Sequence, residues 1–422
     1  MEEKRQLKSG FTTGTCAAAA AMAAAQALAG GGKREYVSLM TPGGREAAFE
    51  VLWQPECVKE AGDGQGGFWP GSESPEKQIC MVRKDSGDDP DVTNGTLIGA
   101  AVSFGENVQR AEESGEELPG IYSDHSQSPS VCLRGGIGVG RVTKKGLKCP
   151  VGYPAINPVP RQMIAEAART ALWKLGCERP VYIEIFIPAG RKLALKTFNP
   201  RLGIEGGISV LGNTGIVNPM SEQALIETIR LDIRVQAAEN RTLLAVAPGN
   251  YGEAFLREEM GLSMDAFVKC SNFVGETFSM LKEEGVRQAL FAGHLGKLIK
   301  VAGGVMNTHS KYGDRRMEIL ADCLAETWNS EEKRSGRFAL NRRREEVIGQ
   351  ILSMNTTDQA AEFLSAQGLL TSVMKTVTGR IKSVLESRFQ IETEVIVFSG
   401  SAGILGMTEG AEAFVKRLKG RI

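Results

Sequence analysis

Short apolar runs alternate with helical segments over the second half of the chain. Strands that alternate with helices in this way predict a parallel sheet with right-handed crossovers. We therefore predict a two-domain protein whose second domain, residues 201–422, is an α/β domain with a Rossmann-like, mostly parallel sheet. The predicted strands are residues 208–211, 243–247, 267–270, 289–292 and 395–398.

The first half of the sequence has a different organisation. Residues 14–30 include ten alanines, begin among threonines and end in glycine, which predicts a helix with clear end signals. A second helix is predicted from Pro158 towards Leu175. A chain of 422 residues exceeds the roughly 250–300 at which single cores stop growing, so we predict a separate α+β domain over residues 1–200. Its predicted strands are 36–40, 47–53, 79–83, 131–133, 140–143 and 181–187.

Charge and hydropathy argue against two classes of partner. The chain has 50 basic and 50 acidic residues, whereas nucleic-acid binders usually have a basic surplus. No apolar run reaches the roughly 18 residues of a membrane span, so we predict neither a nucleic-acid nor a membrane partner. The N-terminal apolar stretch is alanine rather than leucine, and eight scattered cysteines form no CxxC pair. We expect no secretory signal, reduced thiols and a cytoplasmic location.

Basic residues are concentrated in two stretches that contain no acid, residues 131–165 and 291–313. In a chain of zero net charge, two such stretches favour a site for an anion, and their glycines expose further backbone N–H donors. The alternative is that these side chains form solvated faces. The basic residues are Arg134, Arg141, Lys144, Lys145, Lys148 and Arg161 in the first stretch, and His294, Lys297, Lys300, His309 and Lys311 in the second.

Other features allow two interpretations or exclude a site. Thr12 and Thr13 precede the alanine-rich helix, where free N–H groups favour an anion, although small residues all round the helix indicate close packing instead. The acids at 88–91 are more typical of an Asp–Pro turn than of a metal site. The three histidines lack metal-ligand spacing, so we predict no protein-bound metal. His294 stands out because it ends a predicted strand immediately before a helix.

The sequence contains no nucleotide-binding or nucleophile motif. The glycines at 136, 138 and 140 resemble a dinucleotide fingerprint, but the third one has the wrong spacing and a predicted hairpin follows. The P-loop, zincin and GxSxG patterns are absent as well. We therefore predict direct transfer between bound small molecules.

Several runs, taken together, resemble one protein family. The sequence is similar to the cobalt-precorrin-5B C(1)-methyltransferase family of anaerobic cobalamin biosynthesis from residue 11 to about residue 323, and about the last hundred residues match only in a general way. The runs are Phe-Thr-Thr-Gly-Thr-Cys-Ala-Ala-Ala-Ala at 11–20, Gly-Asp-Asp-Pro-Asp-Val-Thr-Asn-Gly at 87–95, Gly-Tyr-Pro-Ala-Ile-Asn-Pro-Val-Pro-Arg at 152–161, Asn-Pro-Arg-Leu-Gly-Ile-Glu-Gly-Gly-Ile-Ser-Val-Leu-Gly-Asn-Thr-Gly-Ile-Val at 199–217, Gly-His-Leu-Gly-Lys at 293–297 and Asn-Thr-His-Ser at 307–310.

The resemblance implies a reaction. A methyl group passes from S-adenosylmethionine to carbon 1 of a ring-contracted tetrapyrrole, cobalt-precorrin-5B, and gives cobalt-precorrin-6A. The cobalt arrives inside this substrate, and an enamine-like ring carbon attacks the methyl group without a protein nucleophile. His294 is the candidate base for the proton that is then lost. The candidate residues for the carboxylates of the substrate are Thr12, Thr13, Arg134, Arg141, Lys144, Lys148, Arg161, Lys297 and His309.

The loops after the predicted strands are the candidate site for S-adenosylmethionine. If the sheet is parallel, they share the edge at the carboxyl ends of the strands, where such sheets bind ligands. Glycine and asparagine permit close backbone approach, a helix start would hold the methionine carboxylate, and the methyl group would face an inter-domain cleft. The alternative is that these are ordinary turns. The candidate residues are Gly212, Asn213, Thr214, Gly215, Gly249, Asn250, Ser271, Asn272 and Gly293.

Two rival functions stay open at this point. A nicotinamide-dependent oxidoreductase of tetrapyrrole metabolism would need a dinucleotide fingerprint after a strand. A non-catalytic tetrapyrrole carrier would need no second ligand site. The sequence does not decide the oligomeric state, with a homo-oligomer among the options, or the role of residues 324–422.

Overall fold

The computed structural model describes residues 7–53, 76–105, 120–335 and 341–420. The chain divides into two compact units, Met1–Glu222 and Gln223–Ile422. The division lies after Glu222 rather than after residue 200, because residues 204–217 form strand pairs with the first unit. None of the helices in the described ranges has the length and apolar character that a membrane crossing requires.

The first unit is a mixed α/β structure. Its described strands are β1 (Gly10–Phe11), β2 (Tyr36–Met40), β3 (Glu46–Leu52), β4 (Lys77–Arg83), β5 (Leu97–Phe104), β6 (Ile121–Asp124), β7 (Val131–Gly135), β8 (Gly138–Val139), β9 (Arg141–Val142), β10 (Val181–Phe186), β11 (Ile204–Glu205), β12 (Gly207–Ile208) and β13 (Ile216–Val217). Seven of them form one sheet in the order β2-β3-β4-β5-β10-β7-β6. Only β10 and β7 pair in parallel within this sheet.

The helices of the first unit are α1 (Thr13–Leu28), α2 (Pro158–Trp173) and the short α3 (Gly190–Ala194) among the described residues. Helix α1 packs against α2 and against strands β4 and β5. All of its alanines except Ala27 are buried, and five in a row, residues 17–21, are 0% exposed. Alanine favours a helix and lets neighbouring backbones approach closely. The predicted helix and its close packing are both confirmed.

The second unit contains the predicted parallel sheet. Its strands are β14 (Leu243–Ala247), β15 (Phe267–Lys269), β16 (Gln288–His294), β17 (Glu392–Ser399) and β18 (Gly403–Met407), in the order β15-β14-β16-β17-β18. The first four strands in that order are parallel, and β18 is antiparallel to β17. Residues 208–211 were expected in this sheet, which is wrong, because β12 pairs with β8 in the first unit.

Helices cover both faces of this parallel sheet. Leu244 and Val246 face one apolar cluster, and Leu243, Ala245 and Ala247 face the other. Because both faces are buried, each strand is a continuous apolar run in the sequence. The helices are α4 (Glu222–Ala238), α5 (Gly249–Ala254), α6 (Val274–Glu283), α7 (Leu295–Ala302), α8 (Arg316–Ser335), α9 (Asn341–Leu352), α10 (Thr357–Ala366), α11 (Leu370–Phe389) and α12 (Ala411–Lys419).

Candidate functional site

The loops after β14, β15 and β16 meet at one edge of the parallel sheet. Strands β14 and β16 are neighbours, yet the chain leaves them towards opposite faces, into the segment 249–259 and into α7. Where the strand order reverses in this way, a crevice opens that is the usual ligand site of such sheets. The predicted site residues at this edge are Gly249, Asn250, Ser271, Asn272, Gly293, His294 and Lys297.

The ammonium group of Lys297 lies among these loops. Its Nζ donates to Asn272 Oδ1 at 2.9 Å. Gly249, at φ +76°, leaves room for it, since a Cβ there would lie 3.1 Å from Lys297 Nζ. Burial lowers the pKa of Lys297, and the nearby cations Lys269 and Lys300 lower it further. Lys297 was predicted as a tetrapyrrole contact, but it lies beside the residues predicted for the methyl donor, and a half-buried cation suits a carboxylate.

Two more of the loop residues are fixed by contacts within this edge. The Nζ of Lys269, at the end of β15, donates to Asn250 Oδ1 and lies 3.1 Å from Glu253 Oε2. Ser271 adopts φ +53°, a left-handed conformation that is uncommon for serine and often found at functional sites. The side chains of Asn250 and Asn272 are therefore each oriented by a lysine.

Both ring nitrogens of His294 have contacts. Nδ1 accepts a hydrogen bond of 3.1 Å from Gly296 N and so caps the start of α7. In a neutral ring the proton is then on Nε2, which faces Asp358 Oδ1 at 3.4 Å. Because the helix cap uses the lone pair that a base would need, the geometry does not support the predicted role of His294 as a base. His309 is similar, since its Nδ1 accepts from Lys311 N at 3.1 Å in a turn.

The loop 212–215 belongs to the first unit, so its predicted place at the edge of the parallel sheet is wrong. It closes the start of α1 instead. Thr15 Oγ1 and Thr12 N donate to the carbonyl oxygen of Gly215, at 2.7 Å and 3.1 Å. Thr13 Oγ1 lies 3.2 Å from the carbonyl oxygens of Ser209 and Leu211. Thr12 and Thr13 are buried, and these contacts occupy the helix start that was predicted to bind an anion.

Packing explains both glycines of that loop. Gly212 has φ +132°, and a Cβ there would lie 2.3 Å from Thr12 Oγ1. Gly215 has φ +78°, and its Cβ would lie 2.9 Å from Thr15 Oγ1. Asn213 and Thr214 are exposed at the tip of the loop. The close backbone approach that these glycines permit is therefore to α1, and their predicted contact with the methyl donor has no support in this geometry.

The basic residues of the first stretch have different surroundings. Arg134 Nε lies 3.2 Å from Glu184 Oε2, and Arg141 Nη1 donates to the carbonyl oxygen of Gly152 at 2.6 Å. The stem of Lys144 packs over Gly203, where a Cβ would lie 2.4 Å from Lys144 Cγ. Lys148 is exposed. Arg134 and Arg141 are thus engaged within the fold.

Arg161, in the first turn of α2, lies over one member of a pair of tyrosines. Its guanidinium lies 4.0 Å from the ring centre of Tyr122, and the rings of Tyr122 and Tyr153 are 5.1 Å apart. Tyr122 donates its hydroxyl proton to the carbonyl oxygen of Pro154 at 2.8 Å. Arg161 Nε is buried and has no hydrogen-bond partner among the described residues. A planar cation above aromatic rings suits a flat ligand that carries carboxylates.

The acids at 88–91 form part of a turn around a buried lysine. Lys84 Nζ lies 2.5 Å from Asp91 Oδ2, and Lys84 is 2% exposed. Asp91 Oδ1 accepts from the backbone N–H and the hydroxyl of Thr93, at 2.8 Å and 2.7 Å. These contacts support the turn interpretation.

Sequence reasoning did not single out three residues at the edge of the parallel sheet. Tyr251, whose ring centre is 6.4 Å from that of His294, is 79% exposed. Asp358 contacts His294 from the first turn of α10, and Ser399 ends β17. The available signal for Asp358 was the helix cap at Thr356, which places it in a first turn.

Family models match both halves of the chain. A model described as CbiD matches residues 1–219, which is more than half of the 422 residues, and one described as CbiD, C-terminal domain, matches residues 338–409. The chain belongs to the CbiD family. The second match covers α9, α10, α11, β17 and β18, so it includes most of residues 324–422, whose role the sequence left undetermined.

Curated relatives match this CbiD family member over nearly its whole length. A cobalt-precorrin-5B C(1)-methyltransferase of Ruminiclostridium cellulolyticum is 38% identical over 94% of this chain and 90% of its own. The protein of that name from Alkaliphilus metalliredigens is 36% identical, over 99% and 97% of the two chains. The one from Salmonella heidelberg is 34% identical, over 98% and 96%.

One solved structure is also similar. It is the crystal structure of a cobalamin biosynthesis protein from Archaeoglobus fulgidus, 24% identical, matched over 74% of this chain and 84% of that chain with a TM-score of 0.36.

Proposed function

We propose that this chain is an enzyme that transfers a methyl group from S-adenosylmethionine to carbon 1 of cobalt-precorrin-5B, giving cobalt-precorrin-6A. The observation that carries the proposal is the similarity to curated cobalt-precorrin-5B C(1)-methyltransferases, at 34–38% identity over at least 94% of this chain in the three relatives named above. The similarity extends over both compact units, so it includes every region to which a role is assigned below.

The second unit is the proposed binding unit for the methyl donor. The crevice between β14 and β16 has a cation, Lys297, for the methionine carboxylate. We assign the carboxylate to Lys297 rather than to a helix start, because His294 already caps α7 and α5 is only six residues long. Gly249 and the amides of Asn250 and Asn272 line the same edge and offer close approach and polar contacts.

The reaction requires mainly that the chain align the methyl donor with the tetrapyrrole. When bound, S-adenosylmethionine supplies an electrophilic methyl group, and the ring carbon of the tetrapyrrole is the nucleophile. The bond from sulfur to the methyl group breaks as the bond to the ring carbon forms, S-adenosylhomocysteine leaves, and the proton lost afterwards passes to solvent. A protein nucleophile is therefore not needed, and the chain's contribution is to hold two reactants in register and keep water away. Alignment of this kind supplies roughly 7–11 kcal/mol in well-oriented reactions. Lysine, asparagine and glycine residues that bind and orient the donor suffice for this task.

The first unit is the proposed binding unit for the tetrapyrrole. Cobalt-precorrin-5B is a flat macrocycle with acetate and propionate carboxylates, and its cobalt is part of the substrate. Tyr122 and Tyr153 offer aromatic surface, and the guanidinium of Arg161, which lies over Tyr122, offers a positive charge. The exposed Lys148 adds positive charge nearby in sequence. Each charged hydrogen bond to a carboxylate contributes about 1.5–3 kcal/mol.

We also propose a cytoplasmic location. The cysteines in the part of the chain that the structure describes are free thiols, most of them buried. Free thiols are typical of proteins that remain in a reducing compartment.

Isotope labelling tests the proposed reaction. The protein is incubated with cobalt-precorrin-5B and S-adenosylmethionine whose methyl group carries deuterium, and the tetrapyrrole is analysed by mass spectrometry and by NMR. We expect the mass of one labelled methyl group to appear on carbon 1. The control is the variant Lys297→Met, in which transfer should be slow at low donor concentration. A tetrapyrrole of unchanged mass after incubation with folded protein would contradict the proposal.

A further inference from the structure

A cavity of about 380 Å³ opens beside the proposed donor site in the second unit. It lies between α10, together with the start of α11, and the segment that joins β17 to β18. Because β17 runs parallel to β16, the end of β17 at Ser399 is on the same edge of the sheet as His294. The lining residues that matter here are Asp358, Glu362, Ser399, Ser401, Ala402 and Leu405.

The charge and polarity of the side chains that line this cavity favour one kind of ligand. Asp358 and Glu362 are one helical turn apart on α10 and both face the cavity. Among the described residues that line it, none carries a positive charge, so the cavity disfavours phosphates and carboxylates. Serine hydroxyls and small or aliphatic side chains form the rest of the wall. This combination suits a neutral group with hydroxyl donors on one side and a flat apolar ring on the other.

His294 lies next to Asp358. Its Nδ1 is held by the start of α7, and its Nε2 faces Asp358 Oδ1 at 3.4 Å. That oxygen is buried and accepts no hydrogen bond from the described residues, while the side chain as a whole is 41% exposed. The exposed part of the carboxylate group is therefore the part that lines the cavity. A carboxylate that is partly exposed towards the cavity is thus placed beside α7.

We propose that this cavity binds the adenosine part of the methyl donor, with the ribose hydroxyls donating to Asp358. The inference rests on the proposed function and adds a donor subsite built from the C-terminal residues 358–405. A carboxylate is the residue type that accepts from ribose hydroxyls in nucleotide-binding α/β proteins. The donor then spans the edge of the sheet from Lys297, at its carboxylate, past His294 to Asp358, at its ribose.

Binding of S-adenosylhomocysteine and of its 2′-deoxy and 3′-deoxy analogues tests the proposal. Calorimetry gives the affinities of the full-length protein and of Asp358→Asn for each ligand. In the unmodified protein, at least one deoxy analogue should bind about ten-fold more weakly or worse, because it leaves a carboxylate oxygen without its donor. In Asp358→Asn the parent ligand should lose a similar factor, and the difference between parent and analogue should largely disappear.

Two further variants distinguish a local loss of ligand binding from a general loss of folded protein. Ala402→Leu adds bulk at an exposed lining residue and should weaken S-adenosylhomocysteine binding without a change in melting temperature. Glu345→Gln removes an exposed carboxylate from α9 of the same unit and should leave every affinity unchanged. If the deoxy analogues bind more weakly than S-adenosylhomocysteine by the same factor in Asp358→Asn as in the unmodified protein, the proposed ribose contact is wrong. The methyltransferase proposal is unaffected by that result. If the unmodified protein does not bind S-adenosylhomocysteine, both fail.

Discussion

Thr15 Oγ1 donates a hydrogen bond of 2.7 Å to the carbonyl oxygen of Gly215, a residue 200 positions later in the chain. The contact is buried and joins the start of α1 to a glycine loop that has the composition of a ligand-binding loop. Because that loop meets Thr12, Thr13 and Thr15 on its inner side, its glycines serve packing in the first unit. Changes here should affect stability rather than donor binding.

Replacement of Thr15 with valine tests this relationship. Valine keeps the shape of the side chain but removes the hydroxyl, so the carbonyl oxygen of Gly215 loses one of its two donors and keeps Thr12 N, at a cost of about 0.5–1.5 kcal/mol. We expect a lower midpoint of urea unfolding and an unchanged affinity of the folded protein for S-adenosylhomocysteine. Thr15→Ser keeps the hydroxyl and is the matched control. A valine variant as stable as the serine variant would show that the bond contributes little.

The parallel sheet of the second unit could be predicted because its signal is local. Each of β14, β15, β16 and β17 is an apolar run that ends at polar or glycine-rich loop residues, and both faces are buried. Residues 208–211 have the same local pattern, but β12 pairs with β8 in the first unit. No local signal distinguishes that long-range pairing. Strand β5 was not predicted, because Gly99, Ala100 and Ala101 in its centre lack the β-branched side chains typical of strands.

The sequence predicts where a residue such as His294 lies along the fold, but not which contacts its side chain makes. The sequence places His294 at a strand end, which is where it lies. Whether its Nδ1 caps a helix depends on the backbone direction of the next two residues, and its other partner, Asp358, comes from a distant helix. Likewise, the spacing of basic residues does not reveal that Arg134 and Arg141 have partners within the fold, whereas Arg161 stacks on a tyrosine.

Charge changes in the first unit should affect the tetrapyrrole alone. We expect Arg161→Met to weaken binding of cobalt-precorrin-5B by about ten-fold or more, because one charged hydrogen bond and the stacked cation are lost. Arg161→Lys keeps the charge but loses the planar group over Tyr122. Its affinity for cobalt-precorrin-5B should lie between those of the unmodified protein and Arg161→Met. The double reversal of Lys144 and Lys148 to glutamate should also weaken tetrapyrrole binding. Fluorescence titration with each ligand is the measurement, and an equal loss of affinity for S-adenosylhomocysteine would indicate damage to the fold.

An ion pair in the first unit predicts sensitivity to acid. Arg169, which is 2% exposed, donates from Nη1 to Asp124 Oδ2 at 2.9 Å. Burial alone would raise the pKa of Asp124, but hydrogen bonds from Arg169 and Ser126 outweigh it and lower the pKa from 3.8 to about 2. A lowered folded-state pKa means that this stability is present above the unfolded value and is lost as pH falls towards 2.

Urea unfolding between pH 5 and pH 2 measures this loss, because that range runs from above the unfolded-state pKa of Asp124, 3.8, down to its folded-state pKa of about 2. Asp124→Asn cannot titrate at this position, so its unfolding midpoint should be lower at pH 5 and should fall less steeply towards pH 2. Glu345→Gln, which removes an exposed carboxylate, is the control and should follow the unmodified protein. Parallel curves for Asp124→Asn and the unmodified protein would mean that other carboxylates determine the acid sensitivity.

The affinity for S-adenosylhomocysteine should fall with rising pH because of Lys297. Burial lowers the pKa of Lys297, so the charge that attracts the ligand carboxylate is present below that pKa and is lost at a lower pH than for an ordinary lysine. Lys297→Arg keeps its charge throughout this range. Any loss of affinity that this variant shows at high pH therefore comes from the titration of the ligand's own amino group. Lys297→Met should bind about ten-fold more weakly or worse at neutral pH. Calorimetry from neutral to alkaline pH should show a steeper loss in the unmodified protein than in Lys297→Arg, and parallel curves would place the carboxylate elsewhere.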